Sequence, residues 1–173
     1  MAGTLHFVSC MYRACIAVVD ASRARLFTYE RSSEAEGISE ELTEQRDLVN
    51  PARRLRPSQL FSDTRPGSSR TGKLQYGLDD HRNAHIDELD AEFARAVIGE
   101  LGDLLRSSQA ERLILCASPR MLGELREAGT KLTRDPLVVD EIPRDLVKLT
   151  PPQLRDQLTS YGLLPARPPR ARA

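Results

Sequence analysis

Short apolar runs separated by polar turns predict three successive β-strands in the first fifty residues. The first run, Arg13–Asp20, is rich in β-branched residues, which is typical of a buried strand. A turn leads to the second run, Ala24–Glu30, and a polar turn at 34–37 leads to the third, Ile38–Val49, whose Glu-rich middle favours a sheet edge. Because tight turns join the three strands, we expect an antiparallel meander.

The second half of the chain changes to helical spacing. Apolar residues at steps of three and four predict a long helix over Asn83–Arg106. Ser118 and Pro119 are a favourable N-cap and first residue for a second helix. The elements expected after the long helix are a buried strand, this second helix, a last strand and a short final helix, over Glu111–Ala117, Ser118–Gly129, Leu137–Ile142 and Thr150–Leu158.

This order of elements predicts an α/β fold with a mixed sheet. A three-strand meander followed by helix-strand-helix-strand-helix matches the topology of the ribonuclease H-like fold. We expect a single domain over 13–162, preceded by a flexible extension at 1–12 and followed by a disordered basic tail at 163–173. Residues 50–83 show neither helical nor strand periodicity and are expected to form one long basic loop.

Composition narrows the class of protein. The 173 residues carry 25 Lys and Arg against 25 Asp and Glu, so a globally basic nucleic-acid-coating protein is excluded. Hydrophobic residues make up 40%, too many for a wholly disordered chain, and no apolar run approaches a membrane span. The three cysteines form no Cys-x-x-Cys pair, and residues 1–10 do not resemble a signal peptide. We therefore expect a cytoplasmic protein that does not enter a membrane.

The zero net charge conceals segments of opposite sign. Glu30–Asp47 has seven acidic and two basic residues, whereas 50–75 has six basic residues and one acidic residue, Asp63. Arginine side chains in such a loop suit phosphate binding, although a solvated surface loop is an equally open interpretation. The candidate phosphate-binding residues are Arg53, Arg54, Arg56, Arg65, Arg70 and Lys73.

Other chemistries find less support. A two-metal nuclease needs several carboxylates, but Asp20 is expected to cap the turn that follows it, and the acids of the long helix are expected to form its solvated face. His81 and His85 have the i, i+4 spacing of metal ligands, but a polar helix entry is favoured, so no metal site is predicted. The sequence contains no nucleophile elbow, phosphate-binding loop or dinucleotide motif, and we predict no cofactor.

Six stretches together resemble the bacterial host-attachment protein family, a group related to archaeo-eukaryotic release factors. They are distributed over about residues 14–160 and are Val18–Phe27, Leu48–Arg53, Ser62–Gly67, Ala91–Arg95, Ser118–Arg126 and Glu141–Leu146. The resemblance implies a fold like the central domain of those release factors. In them, a Gly-Gly-Gln tip before the long helix positions water for peptidyl-tRNA hydrolysis. The corresponding stretch here, Gly72–Gln75, keeps the glutamine and lacks the Gly-Gly pair.

These observations predict a cytoplasmic RNA- or ribosome-associated domain that holds phosphates through the 50–75 loop. Gln75 and His85 are expected near any reactive centre, and tRNA or another structured RNA is a possible partner. Two alternatives stay open: a non-catalytic protein-interaction module that affects attachment indirectly, and a peptidyl-tRNA ester hydrolase. The sequence leaves enzymatic activity and oligomeric state open.

Overall fold

Five strands form one mixed sheet in the computed structural model, which describes residues 11–34, 37–53, 75–132 and 137–167. The spatial order is β3-β2-β1-β4-β5. The first three strands are antiparallel, whereas β4 runs parallel to both β1 and β5. The strands are β1 (Tyr12–Val19), β2 (Arg23–Glu34), β3 (Gly37–Val49), β4 (Arg112–Ala117) and β5 (Val138–Ile142).

Three α-helices cover the two faces of the sheet. They are α1 (Gln75–Ser108), α2 (Pro119–Ala128) and α3 (Pro151–Ser160), and short 3-10 turns occupy Pro51–Arg53 and Gly129–Lys131. Apolar side chains of α1 and α2 pack on one face, and those of α3 pack on the other. Within the described ranges, no helix is both long and apolar enough to cross a bilayer.

The mixed α/β class and the order of the elements are confirmed. The meander is antiparallel, and β3 lies at an edge of the sheet. Ser118 caps α2, since its hydroxyl accepts a hydrogen bond from the Met121 amide at 3.3 Å, with Pro119 as the first helical residue. At the start of α3, Thr150 and Gln153 form a capping box.

The predicted start of the long helix at Asn83 is wrong, because α1 begins at Gln75. Residues 75–82 of the expected loop over 50–83 are therefore helical, and its residues 54–74 lie outside the described part of the chain. Residues 75–82 lack an apolar stripe, but extending a nucleated helix requires only one further backbone hydrogen bond per residue. Gly77 lowers helix stability by only about 1 kcal/mol and does not stop propagation.

The boundaries of the predicted extension and tail also differ from the structure. Tyr12, assigned to the N-terminal extension, is the first residue of β1. Leu164, assigned to the disordered tail, is buried against α3 and the sheet. The Tyr12 hydroxyl donates to the Leu163 carbonyl at 2.6 Å, and Arg31 donates to the Ala166 carbonyl at 2.7 Å. Residues 163–167 are therefore fixed because an apolar pair interrupts the Pro- and Arg-rich stretch; residues 168–173 lie outside the described part.

Replacing Leu164 with Ala should reveal this anchoring. Because the side chain is buried, we expect Leu164→Ala to lower the free energy of unfolding by about 2–4 kcal/mol in urea denaturation. The control is Val138→Ala at a half-exposed position, expected to change it by less than about 0.5 kcal/mol. Equal, small effects of both variants would contradict a folded 163–167 segment.

Candidate functional site

The carboxyl end of β1 is fixed by a polar turn. The carboxylate of Asp20 accepts hydrogen bonds from the amides of Ser22 and Arg23 at 2.6 and 2.7 Å, so the predicted turn cap is confirmed. Asn50, the buried residue that follows β3, donates from its side chain to the Ala21 carbonyl at 2.9 Å. The backbone N–H of Asn50 donates to the Ser22 carbonyl at 2.8 Å. The end of β3 is thereby held beside the end of β1, at the edge of the sheet where α/β folds place ligands.

A buried carboxylate lies close to this edge. The side chain of Asp90 in α1 is only 4% exposed. Arg53 donates from Nη2 to both of its oxygens, at 3.2 and 2.9 Å. Nη2 of Arg120 lies 3.4 Å from Asp90 Oδ2 and also forms an ion pair with Asp87. Because an unpaired buried carboxylate is costly, the two arginines stabilise its charge. We call these four residues the Asp90 cluster.

Three separate elements bring the cluster together. Arg53 ends the 3-10 turn that directly follows β3 and Asn50. Arg120 is the second residue of α2, whose start is fixed by the Ser118 cap after β4. Asp90 is the first fully buried residue among the described side chains of α1. The cluster therefore joins the end of the meander to both helices on one face of the sheet.

The structure describes one of the six predicted phosphate-binding residues. Arg53 lies in the Asp90 cluster, where it is paired with a carboxylate and 36% exposed. The other five lie outside the described residues and are Arg54, Arg56, Arg65, Arg70 and Lys73. The described chain stops at Arg53 and resumes at Gln75, so this cluster marks the entrance to the basic segment 50–75.

Gln75 and His85 both belong to α1, and their side chains lie outside the described part. Gln75 is the first residue of the helix and His85 is ten residues further along. At a rise of 1.5 Å per residue, their backbones are about 15 Å apart along the axis. The helix does not bring them together around one reacting atom. Within the described ranges, no group of three or more His, Cys, Asp or Glu side chains is arranged to hold a metal ion.

Two residues of the cluster were misjudged or missed from the sequence. Asp90 was expected on the solvated face of the helix, and this is wrong, whereas Asp87 is exposed as expected. Asp90 precedes the buried Phe93 and Val97 by three and seven residues, so it shares their helical face. The spacing of Asp90 from these apolar residues therefore indicates in the sequence that its side chain is buried. Arg120 was not singled out, because its role depends on contacts between distant segments.

A second polar network lies on the α3 face. Arg155 is buried and donates to Glu40 at 2.6 Å, and the Tyr29 hydroxyl donates to the same carboxylate oxygen at 3.2 Å. Burial by itself raises the pKa of Glu40, but the hydrogen bond and charge of Arg155 outweigh it and hold the pKa below its ordinary value. A cavity of about 190 Å³ adjoins this network, between β3 and the start of α3. The charges of Arg155 and Glu40 are paired with each other, which indicates that this network has a structural role.

The fold and the cluster together define a mixed α/β domain with an arginine-rich polar cluster at the carboxyl end of its parallel strands. Residues 15–158 match the sequence profile of the host-attachment family, described as "Protein required for attachment to host cells". The chain belongs to this family, which confirms that part of the resemblance seen in the sequence. No curated protein matches the chain.

Two solved structures from Aquifex aeolicus are similar to the chain. One is a member of the Ppx/GppA protein family, with 17% identity and a TM-score of 0.36, and the match covers 77% of this chain and 35% of the other. The second, described as a PPX-GPPA enzyme, has 17% identity and a TM-score of 0.35 over 77% of this chain and 36% of its own. The chain spans about a third of the length of both.

Replacing Asp90 should test the cohesion of the cluster. Asp90→Asn leaves two arginines without their buried counter-charge, and we expect a loss of about 1–3 kcal/mol in the free energy of unfolding, since both guanidinium groups can still reach water. Asp87→Asn is the control, because its exposed ion pair contributes less than about 1 kcal/mol. Urea denaturation measures both. A loss no larger for Asp90→Asn than for Asp87→Asn would contradict the stabilising role of Asp90.

Proposed function

We propose that this host-attachment family protein is a cytoplasmic RNA- or ribosome-associated domain that binds phosphate groups through its basic segment 50–75. The single observation that carries the proposal is the pairing of Arg53 with the buried Asp90. This pairing holds the start of the segment against α1, at the sheet edge where α/β folds place their ligands. In this proposal the domain is release-factor-like and its fold is of the ribonuclease H-like type.

Intramolecular ion pairs support the availability of the basic segment for an external anion. The nearest strongly acidic stretch is β3, and three of its acids have arginine partners elsewhere in the fold. Asp47 pairs with Arg23, Glu44 with Arg25 and Glu40 with Arg155, each at 2.6 Å. The negative charge of β3 is thus largely balanced inside the domain. In this proposal the basic residues at 54–73 attract phosphates, which dominate the affinity of nucleic acids for proteins.

An RNA-associated role makes the link to host attachment indirect. As a ribosome-bound factor or a binder of structured RNA, the domain would affect the synthesis of the components that carry out attachment. Ester hydrolysis is not part of this proposal, because Gln75 lacks the Gly-Gly pair of the release-factor tip and His85 lies about 15 Å along α1.

Salt-dependent RNA binding tests the proposal. For single strands the logarithm of affinity should fall by about 0.7 per phosphate contact for each tenfold rise in salt. Replacing Arg54, Arg56, Arg65, Arg70 and Lys73 with Ala should weaken binding and flatten this slope, while Arg53 keeps the cluster intact. Fluorescence anisotropy with a labelled single-stranded RNA and a tRNA measures both effects.

Two exposed arginines outside the segment provide the control. Arg46 pairs with Glu100, and Arg126 pairs with Glu141, both at the surface. Their replacement with Ala should leave the slope almost unchanged. An affinity that stays flat from low to moderate salt, or that survives the five substitutions, would remove the RNA-binding proposal.

The strand β5, which is an edge strand of the sheet among the described residues, favours a second candidate, a non-catalytic protein-interaction module. Val138 and Val139 of the edge strand β5 are 53% and 49% exposed, and an edge strand can accept a strand from a partner. The acids beside them, Asp140 and Glu141, are paired with Arg112 and Arg126 and so do not repel an incoming strand.

Crosslinking in cells separates the two candidates. The protein-interaction module predicts a crosslinked protein that is lost in Val139→Lys, and no enriched RNA. RNA crosslinks that persist in Val139→Lys, without a protein partner, would favour the RNA-associated domain and argue against the module.

A further inference from the structure

Two arginines from different elements contact one carboxylate oxygen. Nη2 of Arg53 lies 2.9 Å from Oδ2 of Asp90, and Nη2 of Arg120 lies 3.4 Å from the same atom. The two nitrogens therefore cannot be further apart than the sum of these distances. Arg53 follows β3 and Arg120 begins α2, so the two guanidinium groups meet only because the fold brings them to Asp90.

Both guanidinium groups keep donors for a further anion. Each arginine carries five N–H donors, and the contacts with Asp90 and Asp87 use only Nη2. Within the described part of the chain, Nε and Nη1 of Arg53 and of Arg120 have no hydrogen-bond partner. The side chains are 36% and 56% exposed, against 4% for Asp90. The buried carboxylate thus holds two arginines side by side at the surface.

Asp87, the second acid of the cluster, differs from Asp90 because its carboxylate is exposed to solvent. Asp87 pairs with Arg120 at the surface, and both side chains are more than half exposed. An exposed ion pair contributes little, because water competes with both partners. A phosphate group offers more acceptor oxygens to the planar donor set of an arginine than one exposed carboxylate does. Phosphate can therefore take the place of Asp87, whereas Asp90 stays buried beneath the two arginines.

We propose that Arg53 and Arg120 form a two-arginine clamp for a phosphate group, with Asp90 as the positioning residue and Asp87 as the anion that occupies Arg120 in the absence of ligand. The clamp rests on the proposed function insofar as the phosphate belongs to RNA. It adds a phosphate-binding residue, Arg120, that lies outside the segment 50–75. A backbone phosphate of RNA and the phosphate of a free nucleotide share this chemistry, and the experiment distinguishes them.

Three single variants test the clamp. Arg120→Gln should weaken binding of a short labelled RNA about tenfold and lower its salt slope by about 0.7, because one charge-assisted contact is lost. Asp87→Asn should tighten binding about threefold, since it frees Arg120 and removes a negative charge. Arg126→Gln is the matched control on the same helix, because the exposed Arg126 pairs with Glu141 away from the cluster, and it should leave RNA binding unchanged.

The gain expected for Asp87→Asn keeps the test independent of folding, because a damaged protein does not bind more tightly. Fluorescence anisotropy measures RNA binding, and phosphorus NMR measures adenosine monophosphate and inorganic phosphate. Nucleotide binding that is lost in Arg120→Gln, in a protein that does not bind RNA, would support the clamp for a small phosphate ester and overturn the RNA proposal.

The opposite result isolates the clamp from the RNA proposal. RNA binding that depends on the five basic residues at 54–73 but is unchanged in Arg120→Gln and Asp87→Asn would overturn the clamp alone. Equal weakening by Arg120→Gln and Arg126→Gln would also overturn it, because a diffuse charge effect would then be sufficient. If neither RNA, nucleotide nor phosphate binds the wild-type protein, both proposals fail.

Discussion

The rest of the structure depends on a central strand that is buried on both faces. All residues from Ala14 to Val19 in β1 are essentially inaccessible, and alternate side chains enter the two apolar clusters on opposite faces of the sheet. The same strand pairs antiparallel with β2 and parallel with β4. Such a strand reads as an unbroken apolar run, and it fixes which helices lie on each face. Its direction also fixes the edge at which polar residues can collect.

At that edge, polar side chains are ordered because they form hydrogen bonds with backbone groups or with a buried carboxylate. Asp20 caps the turn after β1, and Asn50 attaches the end of β3 to that turn. The next residues along the chain reach Arg53, which the buried carboxylate of Asp90 secures against α1. The chain thus enters the basic segment from a point fixed by several hydrogen bonds.

Local signals were sufficient for most of the fold and insufficient for the site. The apolar run of β1, the helical stripe through Phe93 and Val97 and the Ser118 cap depend on neighbouring residues, so the sequence shows them directly. The start of α1 was misplaced because residues 75–82 carry no stripe, although backbone hydrogen bonds continue through them. Composition alone does not show that the start of the tail is ordered, because the burial of Leu164 outweighs the surrounding prolines and arginines.

The site could not be predicted as a unit because its parts meet only in the folded chain. Arg53, Asp90 and Arg120 are separated by about thirty to forty residues each. The register of Asp90 with the apolar stripe could have shown that its carboxylate is buried, and a buried carboxylate requires a cationic partner. The arginines that pair with Asp90 are those that follow the ends of β3 and β4. The positions of these strand ends depend on the pairing of the strands in the folded sheet.

The arginines of this domain differ in what they leave unsatisfied, and that difference separates structural from functional candidates. Arg25 is buried and uses all three of its nitrogens, two on Glu44 and one on the carbonyls of Val147 and Leu149. Four of its five N–H donors are used in these bonds, and it holds β2, β3 and the segment before α3 together. Arg53 and Arg120 share one buried carboxylate and face solvent with donors remaining. A zero net charge therefore coexists with a local pair of arginines whose shared counter-ion is buried and whose second acid is exposed, and exposed arginine donors suit phosphate recognition.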